Sequence, residues 1–310
     1  MKILVLGAGG VGGYFGGRLL AAGVNVSFLV RPKRAEQLTR DGLTIISPCG
    51  DARLPARTIL GNEVKPEYDL VILACKAYDL DNAMNAIAPA LRENTWILPL
   101  LNGVCHMDAL DHRFGLPRIL GGSCQIITTL LPDGKIHHLQ ELHNMIIGAR
   151  CEEQRSVIKA FAQTASNVNF VLRVSENVLH DLWLKFSFLT TLAGMTSLMR
   201  ASIGDIMHSD DGAALMREIF DECVAVMQSE GYAAPSGWYD KTLNGLLNPD
   251  SPTTASMLRD IERHGVTEGD HIVGDMLRRA QKANIAAPIL RVVYSHLQAY
   301  EARRRRERAS

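Results

Sequence analysis

The feature that most constrains this chain is the glycine-rich segment Gly7-Ala8-Gly9-Gly10-Val11-Gly12, which directly follows a β-favouring run, Lys2–Leu6. A helical stretch continues to Ala22, Gly23 is placed to end it, and residues 24–30 predict a second strand. Strand, tight turn, helix and strand form a βαβ unit, the crossover that parallel strands require. In the GxGxxG pattern the first glycine makes the turn, the second admits a pyrophosphate, and the third lets helix pack on strand. We therefore predict that Gly7, Ala8, Gly9, Gly10, Val11 and Gly12 bind a dinucleotide.

The end of the second strand bears on which dinucleotide binds. NAD-binding folds place an acid there to hold the ribose diol, whereas this strand runs into Leu29-Val30-Arg31. Arg31, with Lys33 and Arg34 close behind, can hold a 2′-phosphate through charge-assisted hydrogen bonds. The sequence favours NADPH/NADP, with an ordinary solvated basic loop as the alternative.

The α/β alternation continues through the first half of the chain. We predict helices at 35–41 and 80–91 and strands at 68–75, 95–101, 119–129, 135–138 and 144–148, the last two antiparallel at the sheet edge. Beyond about residue 175 apolar spacing becomes helical, with helices at 178–199, 212–229 and 266–283. These patterns predict an α/β N-terminal Rossmann-type domain with a mainly parallel sheet at 1–172, followed by an all-α domain at 173–310.

Composition excludes several classes of function. The 33 basic and 33 acidic residues leave no field that would recruit nucleic acid or an anionic membrane. Apolar stretches are too short for a membrane span or a signal peptide. The six cysteines are dispersed without a CxxC pair, which predicts neither a zinc site nor a disulfide framework and indicates a cytoplasmic protein. We interpret the basic run at 303–306, with Arg308, as a helix end rather than an interaction tag.

Three histidines, His137, His138 and His143, raise the question of a metal. The sequence around them offers no further ligand at a metal-binding spacing and no catalytic carboxylate. We interpret them as strand and loop residues and predict no metal site.

Polar residues follow the next two strands at their carboxyl ends, where an open α/β sheet binds its ligand. Lys76 comes after the strand at 68–75, and Asn102-Gly103 after the strand at 95–101. Position alone fits cofactor or substrate contact, but it fits a loop lysine and a turn asparagine equally well.

Further motifs lie in the helical half: Trp183-Leu184-Lys185, the stretch 256–262 that begins Ser256-Met257, and Thr267-Glu268-Gly269-Asp270. Together with the glycine motif, Lys76 and Asn102-Gly103, in this order, they resemble the ketopantoate reductase (2-dehydropantoate 2-reductase) family over most of the chain. The resemblance implies NADPH-dependent reduction of a 2-keto acid to a 2-hydroxy acid, with 2-dehydropantoate reduced to pantoate in pantothenate and coenzyme A biosynthesis.

The resemblance also implies roles for individual residues. Lys185 matches the lysine that polarises the keto oxygen and supplies a proton, and Glu268 matches the glutamate that binds the substrate's hydroxyl end. Asn102 and Ser256 match further residues of the substrate or cofactor site. Arg31 and Lys76 match positions that bind the phosphate end of the cofactor.

The two catalytic candidates also have structural explanations. Lys185 lies four residues after Asp181 and could form a surface ion pair with it. Glu268 follows Thr267, a candidate N-cap, and could simply favour the positive end of a helix.

The chain departs from the family at positions that bear on specificity. Leu189 and Ala193 stand where the family usually has asparagines, and Gly269 replaces the usual isoleucine. Loss of polar partners changes discrimination at a hydroxyl-recognising site. Two alternatives therefore stay open: a paralogue that reduces a different, more apolar keto compound, and a non-catalytic NADPH-binding sensor. The expected partner is a small keto acid, and the oligomeric state, including a homodimer, stays open.

Overall fold

The structure, a computed structural model, describes residues 1–309 of the 310-residue chain. It divides into two compact units. One comprises Met1–Asn102 and His106–Leu179, and the other comprises Gly103–Cys105 and the chain from His180 onward. We call these the α/β unit and the helical unit.

The described residues form ten strands and twelve α-helices. The strands are β1 (Lys2–Leu6), β2 (Asn25–Leu29), β3 (Leu43–Ile46), β4 (Ala52–Leu54), β5 (Arg57–Ile59), β6 (Leu70–Leu73), β7 (Trp96–Pro99), β8 (Gly121–Leu130), β9 (Ile136–Gly148) and β10 (Val171–Ser175). The helices are α1 (Gly10–Ala21), α2 (Pro32–Asp41), α3 (Leu80–Ile87), α4 (Cys105–Phe114), α5 (Arg155–Thr164), α6 (Val178–Met199), α7 (Ile203–Met207), α8 (Gly212–Ser229), α9 (Trp238–Leu246), α10 (Ser256–Glu262), α11 (Asp275–Lys282) and α12 (Pro288–Ala309). A π-helical turn, Asp270–Gly274, directly precedes α11.

The first sheet is the parallel sheet that the glycine motif predicts. Its strand order is β5-β2-β1-β6-β7, and every neighbouring pair is parallel. Ile3, Leu4 and Val5 in β1 have no exposed surface, as expected for a central strand covered on both faces. The predicted Rossmann-type α/β domain is confirmed.

A second, mixed sheet was not predicted as a separate layer. Its order is β10-β9-β3-β4, with β8 antiparallel to β9. The two strands predicted at 135–138 and 144–148 are wrong as separate elements, because β9 is one continuous strand of 13 residues. Antiparallel pairing with β8 keeps β9 extended through residues 139–143, which separate the two predicted strands. This pairing includes a register shift between Ile126 and Thr128.

The helical unit is built around α6, in which three of the buried hydroxyls bond a carbonyl one turn earlier in the helix. Ser187 donates to the Trp183 carbonyl at 3.1 Å, Thr191 to Ser187 at 3.0 Å and Thr196 to Leu192 at 2.7 Å. Bonds of this i to i−4 type let polar side chains lie in a helix that is buried on most sides. Across the described residues, no helix is long and apolar enough to cross a membrane.

Candidate cofactor and substrate site

The α/β unit contains a cleft of about 630 Å³ at the carboxyl ends of β1, β2 and β6. Carboxyl ends of parallel strands are where folds of this class bind ligands. Residues from the glycine motif and from the positions after β2 and β6 line this cleft, among them Gly7, Ala8, Gly9, Arg31, Lys76 and Asp79.

The glycines of the motif serve different physical purposes. Gly7 has φ +88°, a conformation that favours glycine. A Cβ on Gly12 would lie 2.4 Å from the Gly7 carbonyl oxygen and 3.1 Å from Ala74 Cβ, so packing of helix on strand requires glycine there. A Cβ on Gly9 would have no protein atom within 4 Å. The open space at Gly9 therefore faces the cleft and is available to a ligand.

The start of α1 supplies hydrogen-bond donors to this space. Gly9 is the N-cap residue and makes no side-chain cap, so the first N–H groups of the helix are left for another acceptor. A helix N-terminus with a glycine turn binds pyrophosphate through these groups and through its dipole. The residues present fit a dinucleotide.

Arg34 has a structural role that sequence analysis missed. Its guanidinium donates to the Ala8 carbonyl at 3.1 and 2.9 Å, to the Gly134 carbonyl at 2.9 Å and to Gln37 Oε1 at 2.6 Å. Burial lowers the pKa of Arg34, although an arginine in a protein stays charged. Arg34 thus holds the glycine turn and also lines the cleft, and a phosphate contact by Arg34 stays a prediction. Ala8 and Gly134 are distant from Arg34 in sequence, so no local signal could have shown these bonds.

Arg31 lies at the mouth of the cleft, directly after the second strand. Its side chain is 81% exposed and lies 3.5 Å from the Asp79 carboxylate. An exposed pair of this kind contributes about 0–1 kcal/mol, so a phosphate can replace the carboxylate at little cost. Lys76 lines the same cleft, at the N-cap of the short 3-10 turn Ala77–Asp79.

In the helical unit, α6 is fixed by aromatic packing next to Lys185. Trp183 is buried, stacks on Tyr232 with centroids 5.5 Å apart, and carries the Arg279 guanidinium 5.3 Å from its ring centroid. Phe186 packs edge-on to the same indole at 5.6 Å. Lys185 itself is half-buried, so its backbone is held while its side chain keeps partial access to solvent.

Glu268 lies in a buried segment that is anchored from α12. The Thr267 amide and hydroxyl both donate to Glu301 Oε1, at 2.7 and 2.9 Å. Burial opposes ionisation of Glu301, but hydrogen bonds from Thr267 and Arg304 outweigh it and lower the pKa of this carboxyl. The Gly269 amide, at the start of the π-helical turn, donates to the Thr267 hydroxyl at 3.4 Å, so the alternative in which Thr267 caps this segment stays open.

The structure brings together the part of the predicted site that lies in the α/β unit. Gly7, Ala8, Gly9, Arg31 and Lys76 surround one cleft, and Gly10, Val11 and Gly12 form the first turn of α1. Asn102, half-buried after β7, is not among the described residues that line that cleft. Lys185 on α6, the half-buried Ser256 at the start of α10 and the buried Glu268 all belong to the helical unit. Their roles stay predictions.

Two of the three histidines lie together with a cysteine that the sequence did not associate with them. One ligand atom from each of Cys49, His138 and His143 lies within 4.8 Å of the others. The His138 ring bonds Ser47 Oγ at 2.8 Å and the Leu142 carbonyl at 3.1 Å, and His143 Nδ1 bonds the Tyr14 hydroxyl at 2.7 Å.

The charge environment of this cluster favours neutral rings without an ion. Burial lowers the pKa of both His138 and His143, and the positive charge of Arg18 acts in the same direction. The positive charge of Arg18 would also repel a metal ion at this cluster. Hydrogen bonding within the core is a sufficient explanation for these histidines, and the absence of a metal site stays a prediction.

Comparison with known proteins relates these features to a family. The family model described as ketopantoate reductase PanE/ApbA matches residues 3–151, and the model of its C-terminal region matches residues 177–301. A Bacillus subtilis (strain 168) protein named "Uncharacterized oxidoreductase YkpB" is 36% identical over 302 residues, which cover 97% of this chain and 99% of that protein. A 2-dehydropantoate 2-reductase of Nostoc sp. is 24% identical over 98% of this chain and 96% of its own. The crystal structure of 2-dehydropantoate 2-reductase from Geobacter metallireducens GS-15 has a TM-score of 0.87 at 26% identity, covering 96% of this chain and 99% of that one.

Proposed function

Because this chain belongs to the ketopantoate reductase PanE/ApbA family, we propose that it reduces 2-dehydropantoate to pantoate, a step in pantothenate biosynthesis. The family is one of NADPH-dependent oxidoreductases that act on keto acids and their CH–OH products. The chain is thus an NADP-dependent enzyme of this class, and the identity of its keto acid is the part that we propose.

The cleft of the α/β unit is the observation that carries the cofactor side of the proposal. Gly9 leaves open space at the uncapped start of α1, and Arg31 stands where an NAD-selective fold would have an acid. Gly7–Gly12 would hold the pyrophosphate, and Arg31 and Lys76 would hold the 2′-phosphate end. When bound, NADPH supplies the hydride.

The substrate side rests on Lys185. As hydride reaches a carbonyl carbon, negative charge grows on the oxygen, and an ammonium directed at that oxygen stabilises it. Lys185 would donate a hydrogen bond from Nζ to the keto oxygen, transfer that proton to the forming alkoxide, and regain one from solvent. Proton donation of this kind contributes about 10²–10⁴-fold to a rate.

Glu268 would select the substrate by its hydroxyl end, with Asn102 and Ser256 as further contacts. Its carboxylate would accept a hydrogen bond from the hydroxyl group of 2-dehydropantoate. Because Glu268 is 6% exposed, an analogue that lacks the hydroxyl would leave a buried carboxylate with one hydrogen bond fewer. Sites of that kind reject such analogues strongly.

Substitution of Lys185 tests the catalytic assignment. We expect Lys185→Ala to lower kcat by at least about 100-fold while the calorimetric Kd for NADPH stays within about twofold of wild type. Lys241→Ala, which removes an exposed lysine on α9, is the matched control and should leave both quantities unchanged. If Lys185→Ala turned over its keto acid at the wild-type rate, the catalytic role would be wrong.

A second candidate substrate class is favoured by the apolar face of α6. Since α6 is uninterrupted from Val178 to Met199, Leu189 and Ala193 lie one and two turns beyond Lys185 on the same face. Because neither Leu189 nor Ala193 offers a hydrogen-bonding side chain there, this face suits a 2-keto acid whose side chain is hydrophobic better than one that carries a hydroxyl.

A panel of 2-keto acids distinguishes the candidates by kcat/KM, followed through NADPH absorbance. Preference for 2-dehydropantoate supports the first, and preference for an aliphatic or aromatic 2-keto acid supports the second. NADPH binding without turnover of any member would favour the non-catalytic sensor.

The cellular setting is also part of the proposal. We place the enzyme in the cytoplasm, a location supported by its six free cysteines. A homodimer is the proposed assembly, and sedimentation or light scattering would measure its mass.

A further inference from the structure

Cys105 and His271 form a thiol–imidazole pair within the helical unit. Cys105 Sγ lies 3.0 Å from His271 Nδ1 and 3.8 Å from Nε2. Both residues are half-buried, so the sulfur is held against the ring without being sealed from solvent. No role proposed above uses either side chain.

The backbone around the pair is shaped to fit the imidazole. Gly103 has φ +80°, and a Cβ there would lie 3.0 Å from His271 Cδ2 and 3.2 Å from Nε2. Any larger residue would thus be strained and would also crowd the ring. On the other side, His271 belongs to the π-helical turn Asp270–Gly274, a rare conformation that occurs often at functional sites.

The two carboxylates that act on His271 are each paired with an arginine. The carboxylates of Asp270 and Asp275 act on the imidazole, and their own partners are Arg278 at 2.8 Å and Arg279 at 3.0 Å. Each of these carboxylates is paired with a guanidinium, and the Cys105 sulfur, 3.0 Å from Nδ1, is placed to take the opposite charge to an imidazolium. Its place as first residue of α4 further favours the thiolate.

We propose that Cys105 is an activated cysteine, a thiolate paired with the His271 imidazolium, and a site of oxidation by hydrogen peroxide. In the reaction, the thiolate sulfur attacks one peroxide oxygen and the O–O bond breaks. The sulfur loses two electrons to the peroxide and becomes a sulfenic acid. The departing hydroxide takes the proton from the His271 imidazolium and leaves as water.

The chain supplies internal reference thiols for this inference. Burial, with the neighbouring Glu153, raises the pKa of the half-buried Cys151 thiol. Burial raises the pKa of the Cys223 thiol to about 12. These cysteines should be mostly unreactive at a pH at which Cys105 is ionised.

Alkylation of the full-length protein by iodoacetamide, quantified per peptide by mass spectrometry, tests the pairing. Across about pH 5 to 9, we expect the Cys105 rate to rise with a midpoint below about 7.5, compared with about 8.5 for a free thiol. At about pH 6 Cys105 should react at least tenfold faster than Cys151. His271→Gln should slow the alkylation of Cys105 by about tenfold and leave the alkylation rate of Cys151 unchanged.

Peroxide treatment followed by a sulfenic-acid probe such as dimedone should label Cys105 in wild type and not in Cys105→Ser. A Cys105 midpoint at or above about 8.5 in the wild-type protein would overturn the proposal without any variant. So would an unchanged Cys105 rate in a folded His271→Gln protein, with folding checked by circular dichroism. These readouts do not involve reductase activity, so they can fail or succeed independently of the proposed function.

Discussion

Alanine substitutions at Gly9 and Gly12 should separate cofactor binding from folding, although both residues belong to one motif. At Gly12 the added methyl would lie 2.4 Å from the Gly7 carbonyl oxygen, a backbone atom that cannot rotate away. Overpacking of this kind costs about 1–3 kcal/mol. For a domain of this size each kcal/mol lowers Tm by about 2–4 °C, so we expect a fall of roughly 2–12 °C.

At Gly9 the same methyl meets no protein atom within 4 Å, and the φ of −87° suits alanine. Replacing glycine by alanine at the N-cap lowers folding stability by about 0.5–1 kcal/mol. The same change restricts the unfolded chain, which raises folding stability by about 0.4–1 kcal/mol. The two effects nearly cancel, so Tm should change little. The methyl does occupy the space into which the pyrophosphate would enter, so the Kd for NADPH should rise at least tenfold, about 1.4 kcal/mol.

Thermal unfolding without cofactor and calorimetric titration with NADPH measure the two effects separately. The reasoning predicts a stable Gly9→Ala protein that binds poorly and a Gly12→Ala protein of clearly lower Tm. Wild-type NADPH affinity in Gly9→Ala, or a wild-type Tm in Gly12→Ala, would refute it.

Substitutions at two further charged residues, Arg31 and Glu222, give separate tests. Arg31→Ala should weaken NADPH binding by roughly 10–150-fold, about 1.5–3 kcal/mol for charge-assisted bonds to phosphate, and leave the affinity for NADH unchanged. Arg40→Ala, which removes an exposed arginine on α2, is the control and should change neither affinity. Equal losses of affinity for both coenzymes would contradict the assignment. Glu222 accepts the Ile289 and Leu290 amides at 2.8 Å each at the start of α12, and Glu222→Ala should cost roughly 1.5–3 kcal/mol in urea unfolding. Burial raises the pKa of Glu222 above its ordinary value of 4.5. The contribution of Glu222 to the free energy of unfolding is therefore largest below pH 4.5 and falls as the pH rises through the folded-state pKa. Glu222→Gln should remove this decline, and an unchanged pH slope of stability in the variant would contradict the linkage.

The sequence was most informative where local pattern and burial agree. The β1–α1–β2 unit was placed to within about two residues because GxGxxG specifies the strand, turn and helix together. Helices α6 and α8 were predicted with their observed bounds. Long apolar periodicity is strong evidence for helix whatever the tertiary context.

Elements that depend on distant pairing were harder to predict. The short strands β3, β4 and β5 have partly exposed residues, and only pairing with β9 and β2 makes them strands. The predicted helix at 266–283 is instead a π-helical turn followed by α11, after a segment that Glu301 on α12 anchors. The part played by Arg34 in the glycine turn was hidden for the same reason.

Isotope transfer tests the central claim most directly. NADPH carrying deuterium at the transferable position of C4 should be mixed with enzyme and 2-dehydropantoate, or with the best acid of the panel. The account predicts one oxidised NADPH per molecule of 2-hydroxy acid, with deuterium at C2 of the product by NMR and little such product from Lys185→Ala. Deuterium absent from C2, or labelled product formed by Lys185→Ala at the wild-type rate, would contradict it.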